Sequence, residues 1–214
     1  MTSAAAAKFG LALHTTTPQL GFGLLDLETN EQVCQAWELG RALSSELHLY
    51  LQNFVAPRSW QDLAFVAVAQ GPGGFTGTRI GVVTARTLAQ QLELPLYGIS
   101  TLAAIAWHLG KGQGDRLFAV SLPARRGEVF GAIYQITNLG VTAVVEDQLF
   151  LPETWEQLII KNGAILGRSP EDLGATVNSI LELAYLQWQQ NPIAPWGQVV
   201  PFYGQHPVHK TPAQ

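Results

Sequence analysis

The chain has 214 residues, 47% of them apolar and only 13% charged, with a formal net charge of −4. That length suits one large domain or two small ones, and the sparse, scattered cations exclude a protein that grips nucleic acid by itself, because phosphate binding needs clustered Lys and Arg. One cysteine, Cys34, excludes an internal disulfide and a multi-cysteine zinc site; the start MTSAAAAKFG lacks a signal-peptide core and no apolar run is long enough to span a bilayer, so a cytoplasmic protein is expected.

Residues 9–13 form a short apolar run, HTTTPQ is a polar turn in which Pro18 bars a helix, and residues 20–27 resume the apolar run. After a turn at ETNE, residues 33–37 make a third strand, so an antiparallel meander is predicted. The period then changes. Leu43, Leu47, Tyr50, Leu51 and Phe54 fall at i, i+4, i+7, i+8 and i+11, one apolar stripe on a helix that Pro57 ends. Residues 63–69 are continuously apolar, as in a buried central strand. The glycine-rich QGPGGFTGTR follows at 70–79 and leads into a helix reaching about Leu92. Pro95 breaks it, PLYGI is another strand, and Ser100 caps a short helix closed by Gly110.

GKGQGDR, at 110–116, is the best candidate boundary, dividing the chain into 1–110 and 111–214. Beyond it the opening pattern recurs as strand, polar turn, strand, turn, strand over RLFAVSLPARRGEVFGAIYQITNLGVTAVVEDQLF. PETWEQLII reads as a helix and 175–190 as a longer one, before an irregular tail with five prolines. Two meanders, each followed by helices, suggest an internal duplication.

The glycine loop has no lysine in any Walker A register and only G-x-G-x-x-x-G where a dinucleotide fingerprint needs G-x-G-x-x-G. Two readings stay open: a tight strand-to-helix turn, or a vestigial nucleotide or anion site built from Thr15, Gly73, Gly74 and Thr76, with Thr76 capping the helix. In the helix that follows, Gly77, Gly81, Ala85 and Ala89 recur every four residues and form one stripe. Glycine costs about 1 kcal/mol in a helix interior relative to alanine, so such a stripe lets another backbone approach closely. That backbone belongs either to this chain's own sheet or to a partner. The partner face then comprises Gly77, Gly81, Ala85 and Ala89 with Leu43, Leu47 and Leu51 of the preceding helix. No histidine pair has metal-ligand spacing on a helix; His206 and His209 lie in the tail, and no nucleophile elbow occurs.

At this point the stretch GPGGFTGTRIGVVTARTLAQQLELPLYGISTLAAIA resembles the signature of the TsaB family, where GPGSFTGLRIG leads into a small-residue helix and a PL-G-S-L segment. LALHTTTPQLGFGLLD is similar to the family's LAIDTST…VALLD, SSEL from Ser44 stands where the family has HSE-L, SLPARRGEVFGAIY resembles AIDAR-GEVY, and PFYG from Pro201 echoes P-YLR. The likeness spans nearly the whole chain and is most specific up to about residue 107. It implies an α/β fold of the actin-like ATPase (ASKHA) type: two duplicated β-meander-plus-helix lobes, the second reduced. It implies a role in adding threonylcarbamoyl to the adenosine beside the anticodon of tRNAs that read codons beginning with A. In that family the protein is the non-catalytic scaffold of TsaD, which transfers the group; it pairs through the helices of its first lobe, and the TsaE ATPase joins the assembly. No stably bound cofactor and no metal follow from the likeness, with ATP or ADP placed at the complex interface, a homodimer as a form of the isolated chain, and tRNA met only through the complex.

This sequence departs from the pattern at three places. His14 and Pro123 stand where the superfamily's two turns carry metal-binding aspartates, and Ser44 replaces a histidine. These departures weigh toward a scaffold. The rival is a stand-alone enzyme of the superfamily, an ATPase, kinase or glycoprotease-like protein. A third reading is a direct tRNA binder with a patch of Lys111, Arg116, Arg125 and Arg126 at the lobe boundary.

Overall fold

The apolar runs of the amino-terminal part pair as their alternation and turn residues require. A computed structural model describes residues 8–171 and 173–204; the amino-terminal alanine run and the pair His206 and His209 lie outside them. Strands β1 (Phe9–His14), β2 (Gln19–Asp26) and β3 (Gln32–Glu38) form an antiparallel meander. Asp26 fixes its second turn, its Oδ1 accepting from the amides of Glu28 and Thr29 at 2.9 and 3.0 Å. The Thr29 and Glu28 amides hold that carboxyl below the usual carboxylate range. Helix α1 (Leu43–Val55) leads to β4 (Leu63–Ala69), parallel to β1, and α2 (Phe75–Leu92) leads to β5 (Leu96–Ile99), parallel to β4. Helix α3 (Thr101–Gly110) opens on Ser100, whose Oγ accepts from the amides of Leu102 and Ala103 at 3.0 and 3.2 Å. The five-stranded sheet has the order β3-β2-β1-β4-β5.

The second half repeats this on a smaller scale. Strands β6 (Arg116–Pro123), β7 (Val129–Thr137) and β8 (Gly140–Phe150) form a meander. Helix α4 (Pro152–Asn162), with Pro152 in its first turn, leads to β9 (Ile165–Leu166), parallel to β6, and a 3-10 turn at Leu173–Thr176 opens α5 (Val177–Gln190). The order is β8-β7-β6-β9. The strand beside β6 has two residues where its counterpart beside β1 has seven, which is how the second lobe is reduced. This is the duplicated α/β architecture expected from the repeated meander.

Side-chain alternation builds the molecule in layers. Leu11, Leu13, Phe22, Val66 and Val68 face α1 and α2 in one core, while Ala12, Phe65, Ala67 and Ala69 face α3 and α5 in another. Phe118, Val120, Ala132 and Tyr134 of the second sheet meet the same two helices from the other side. Ala119 and Ile133 face α4 in a small third core around Trp155. The boundary at 110–111 therefore separates the two sheets, but the central layer is shared, with α3 from one side of it and α5 from the other.

The tail past α5 is irregular and closely tied down. Leu96 donates its amide to the Ala194 carbonyl at 3.0 Å, Val199 is buried, and the Phe202 amide donates to the Gln70 carbonyl at 2.7 Å. Phe202 meets Phe130 of β7 edge-on at 6.5 Å between ring centroids. The chain end thus passes from the first sheet to the second.

Candidate functional site

The glycine loop between β4 and α2 packs against the turn between β1 and β2. The Gly74 amide donates to the Thr16 carbonyl at 2.6 Å, and Thr15 Oγ1 donates to the Gly77 carbonyl at 2.8 Å. A Cβ on Gly73 would collide with the Thr16 carbonyl, and one on Gly77 with the Thr15 carbonyl. Residues 15 and 16 therefore lie directly against the loop, and the Gly74 amide is not free to bind an anion. The structure brings Thr15, Gly73 and Gly74 of the expected anion loop together, with Thr15 fully buried. Thr76 does not join them. The helix begins at Phe75 with Gly74 as its N-cap, so Thr76 falls inside the first turn, exposed, and caps nothing. Thr78 binds this end of the helix instead, its Oγ1 donating to the Gly74 carbonyl at 2.8 Å.

His14 closes β1 with no exposed surface, and its Nδ1 has no partner among the described residues. Burial pushes its pKa down to about 4, against a smaller opposing contribution from its own backbone, so the ring is neutral at pH 7. Its Nε2 lies 3.4 Å from Thr16 Oγ1, which in turn accepts from Thr101 Oγ1 at 3.3 Å. At the equivalent place in the second lobe, Pro123 ends β6 and the turn runs through Arg125–Gly127. Neither position supplies a carboxylate. Among the described residues no three His, Cys, Asp or Glu side chains stand together with metal-binding spacing.

The stripes on α1 and α2 are turned inward. Leu43, Leu47 and Leu51 belong to the core over the first sheet, and Gly81, Ala85 and Ala89 are buried in the same core. Gly77 is half-buried, and a Cβ on Gly81 would collide with Thr15 Oγ1. Of the seven residues expected at a partner face, six are thus buried in this chain's own core and Gly77 is half-buried. A helix turns its most continuous apolar stripe to the nearest apolar layer, here its own sheet. The opposite faces of both helices are exposed. On α2 that face carries Phe75, Thr76, Arg79, Val83, Thr87 and Gln90; on α1 it carries Ser44, Ser45, His48, Leu49, Gln52 and Asn53. Leu49 and Val83 are 53% and 55% exposed, although both are large and apolar.

The tail adds aromatic rings to the α2 face, which the sequence did not signal. Tyr203 packs on Phe75 in a tilted arrangement at 4.8 Å between centroids, and Arg79 lies over both rings. Arg86 lies over Trp196 at 5.7 Å. The only signal in the sequence is that the two arginines stand seven residues apart. A second cluster was also missed. Asp147 of β8 accepts hydrogen bonds from Ser100, the N-cap of α3, and from Tyr134 of β7. Burial raises its pKa despite both bonds. Its place in an alternating strand looks solvated, so nothing local marks it.

The expected basic patch is not assembled. Lys111 Nζ pairs with Glu182 at 2.8 Å, and Arg116 stands at the opposite end of β6 from Arg125 and Arg126. The Cys34 thiol is pushed up to about 11, first by burial and then by Glu182, which makes it a poor nucleophile. No helix among the described residues is long and apolar enough to cross a membrane.

A family model described as TsaD, tRNA N6-adenosine threonylcarbamoyltransferase, matches residues 55–197. The chain is 40% identical over 102 residues to the tRNA threonylcarbamoyladenosine biosynthesis protein TsaB of Bacillus subtilis, covering 46% of this chain and 42% of that protein. It is 40% identical over 83 residues to the TsaB of Escherichia coli, covering 39% of this chain and 36% of that one. The match thus spans less than half the length of these curated relatives. Among solved structures, YeaZ from Pseudomonas aeruginosa superposes with a TM-score of 0.75 at 22% identity, over 92% of this chain and 99% of that one. Another Pseudomonas aeruginosa structure, described as an uncharacterized protein with similarity to peptidase YEAZ, gives 0.76 at 21% identity, over 92% of this chain and 100% of that one. At that identity the likeness bears on the fold.

Proposed function

This chain belongs to the TsaD family, on its TsaB side, and from that premise we propose that it is a non-catalytic scaffold in tRNA threonylcarbamoyladenosine biosynthesis. It dimerises with a TsaD-type transferase through the outer faces of α1 and α2 and holds that partner in its working conformation. TsaE joins the assembly, and tRNA is met through the complex in the cytoplasm. ATP or ADP belongs to the interface rather than to this chain's own cleft.

The observation that carries this reading is the closed glycine loop. A nucleotide-hydrolysing member of this architecture needs free amides in that loop and carboxylates at the two turns. Here the Gly74 amide is spent on Thr16, and the turns offer a neutral buried His14 and Pro123. The test mixes the purified chain with the TsaD-type protein of the same genome, measures stoichiometry by light scattering, and assays threonylcarbamoyl transfer to tRNA. A one-to-one complex that is required for transfer is expected. ATP turnover by the isolated chain, lost on Thr15→Ala, sinks the scaffold reading in favour of an enzyme.

A further inference from the structure

The outer face of α2 carries two arginines, each set over aromatic rings. Arg79 and Arg86 stand seven residues apart, two turns of helix or about 10 Å along its axis. Each is held against aromatic rings from the carboxyl-terminal tail. Arg79 Cζ lies 4.9 Å from the Phe75 centroid and 5.9 Å from that of Tyr203, and its Nε donates to Tyr203 Oη at 3.2 Å. Arg86 Cζ lies 5.7 Å from the Trp196 centroid. The tail therefore runs along α2 from its carboxyl end toward its amino end. Neither guanidinium is within ion-pair distance of a carboxylate of the described residues, unlike Lys8 with Glu28 and Lys111 with Glu182. No acidic residue occurs anywhere in α2, and Val83 lies exposed midway between the two arginines.

We propose that α2 and the carboxyl-terminal tail form one composite docking face for a helix of a protein partner, a helix carrying two carboxylates about two turns apart. The aromatic rings fix each guanidinium before the partner arrives, so little side-chain entropy is lost on pairing. The partner's carboxylates take the two arginines, and an apolar side chain between them covers Val83. Charge complementarity selects this occupant. The chain as a whole is negative, yet this face is positive. A second copy would set like charges against each other across a two-fold axis. An RNA backbone presents phosphates more closely spaced than these two cations and has no use for the exposed valine between them. The proposal rests on the pairing reading above and names the chemistry of that same interface.

The experiment measures the affinity of the full chain for the TsaD-type protein of the same genome by calorimetry, at low and moderate salt. Arg79→Glu with Arg86→Glu is expected to weaken binding roughly a hundredfold and to flatten its salt dependence. Trp196→Ala and Tyr203→Ala are each expected to weaken it about fivefold. Replacing both arginines by lysine keeps the charge and retains most of the affinity. A thermal melt of each variant checks that the fold stands. Reversing the partner's facing carboxylates to lysine should restore binding to the double glutamate variant. Undiminished affinity in that variant overturns the docking face while leaving the pairing reading intact. Wild-type chain that binds no partner at all overturns both. If the double variant keeps its partner affinity but loses binding of tRNA, or loses self-association by light scattering, the face serves RNA or a second copy and the proposal falls.

Discussion

The two faces of α2 carry the same helix in opposite ways. The inner face, Gly77, Gly81, Ala85 and Ala89, has almost no side chain and sits against the turn at Thr15 and the sheet. The outer face carries two arginines, Val83 and borrowed aromatic rings. Smallness on one side brings the helix close enough to seal the glycine loop. Bulk and charge on the other side remain available to a partner. A small-residue stripe thus marked a tight internal contact, and the face beside it is the exposed one.

Substitutions separate the faces, and the largest effects belong inside. Gly81→Val drives a branched side chain into Thr15 and should cost upwards of ~3 kcal/mol or abolish soluble expression, as chemical denaturation will show. A wild-type melting curve would mean that the helix can shift outward and that the inner contact is not tight. Leu47→Ala empties a fully buried site and should cost about 2–5 kcal/mol in the same assay.

Acid attacks the buried end of β1 next. The folded pKa of His14, about 4, lies below its ordinary value, so the unfolded chain takes up the proton first. The stabilising contribution is complete above the ordinary histidine value of about 6.5 and is lost as pH falls toward 4. That is ~3 kcal/mol at most, read as a falling melting temperature that His14→Asn flattens.

Smaller still, Thr78→Ala removes the hydroxyl bonded to the Gly74 carbonyl and should cost about 1 kcal/mol. Thr76→Ala and Val83→Ser, on the exposed side, should stay within about 0.5 kcal/mol in stability. Val83→Ser should nonetheless weaken partner binding in a pull-down. A large stability loss there would mean that the outer face is packed against this chain itself.

Most of the fold was legible because it rests on local periodicity. The alternation around Leu11 and Phe22, the stripe of Leu43, Leu47 and Leu51, the Ser100 cap and the prolines at 57 and 95 each act within a few residues of themselves. The site was less legible. Gly74 rather than Thr76 ends the loop, because the helix starts where the Gly74 amide meets Thr16, a contact with a turn far away in sequence. Asp147 looked solvated in its strand until Ser100 and Tyr134 closed over it.

The sequence by itself determined the duplicated α/β architecture, the loss of carboxylates at His14 and Pro123, and the family. These are properties of residue identity and short-range pattern, and no packing is needed to see them. Only the tertiary structure decided which face of α2 is exposed, that Thr15 and Thr16 pack against the glycine loop, and that Trp196 and Tyr203 lie beside Arg86 and Arg79. The reason is that an amphipathic stripe states only that one side will be buried. What buries it is chosen by the competition between the chain's own sheet and other surfaces, and here the sheet wins because it is covalently tethered and always present.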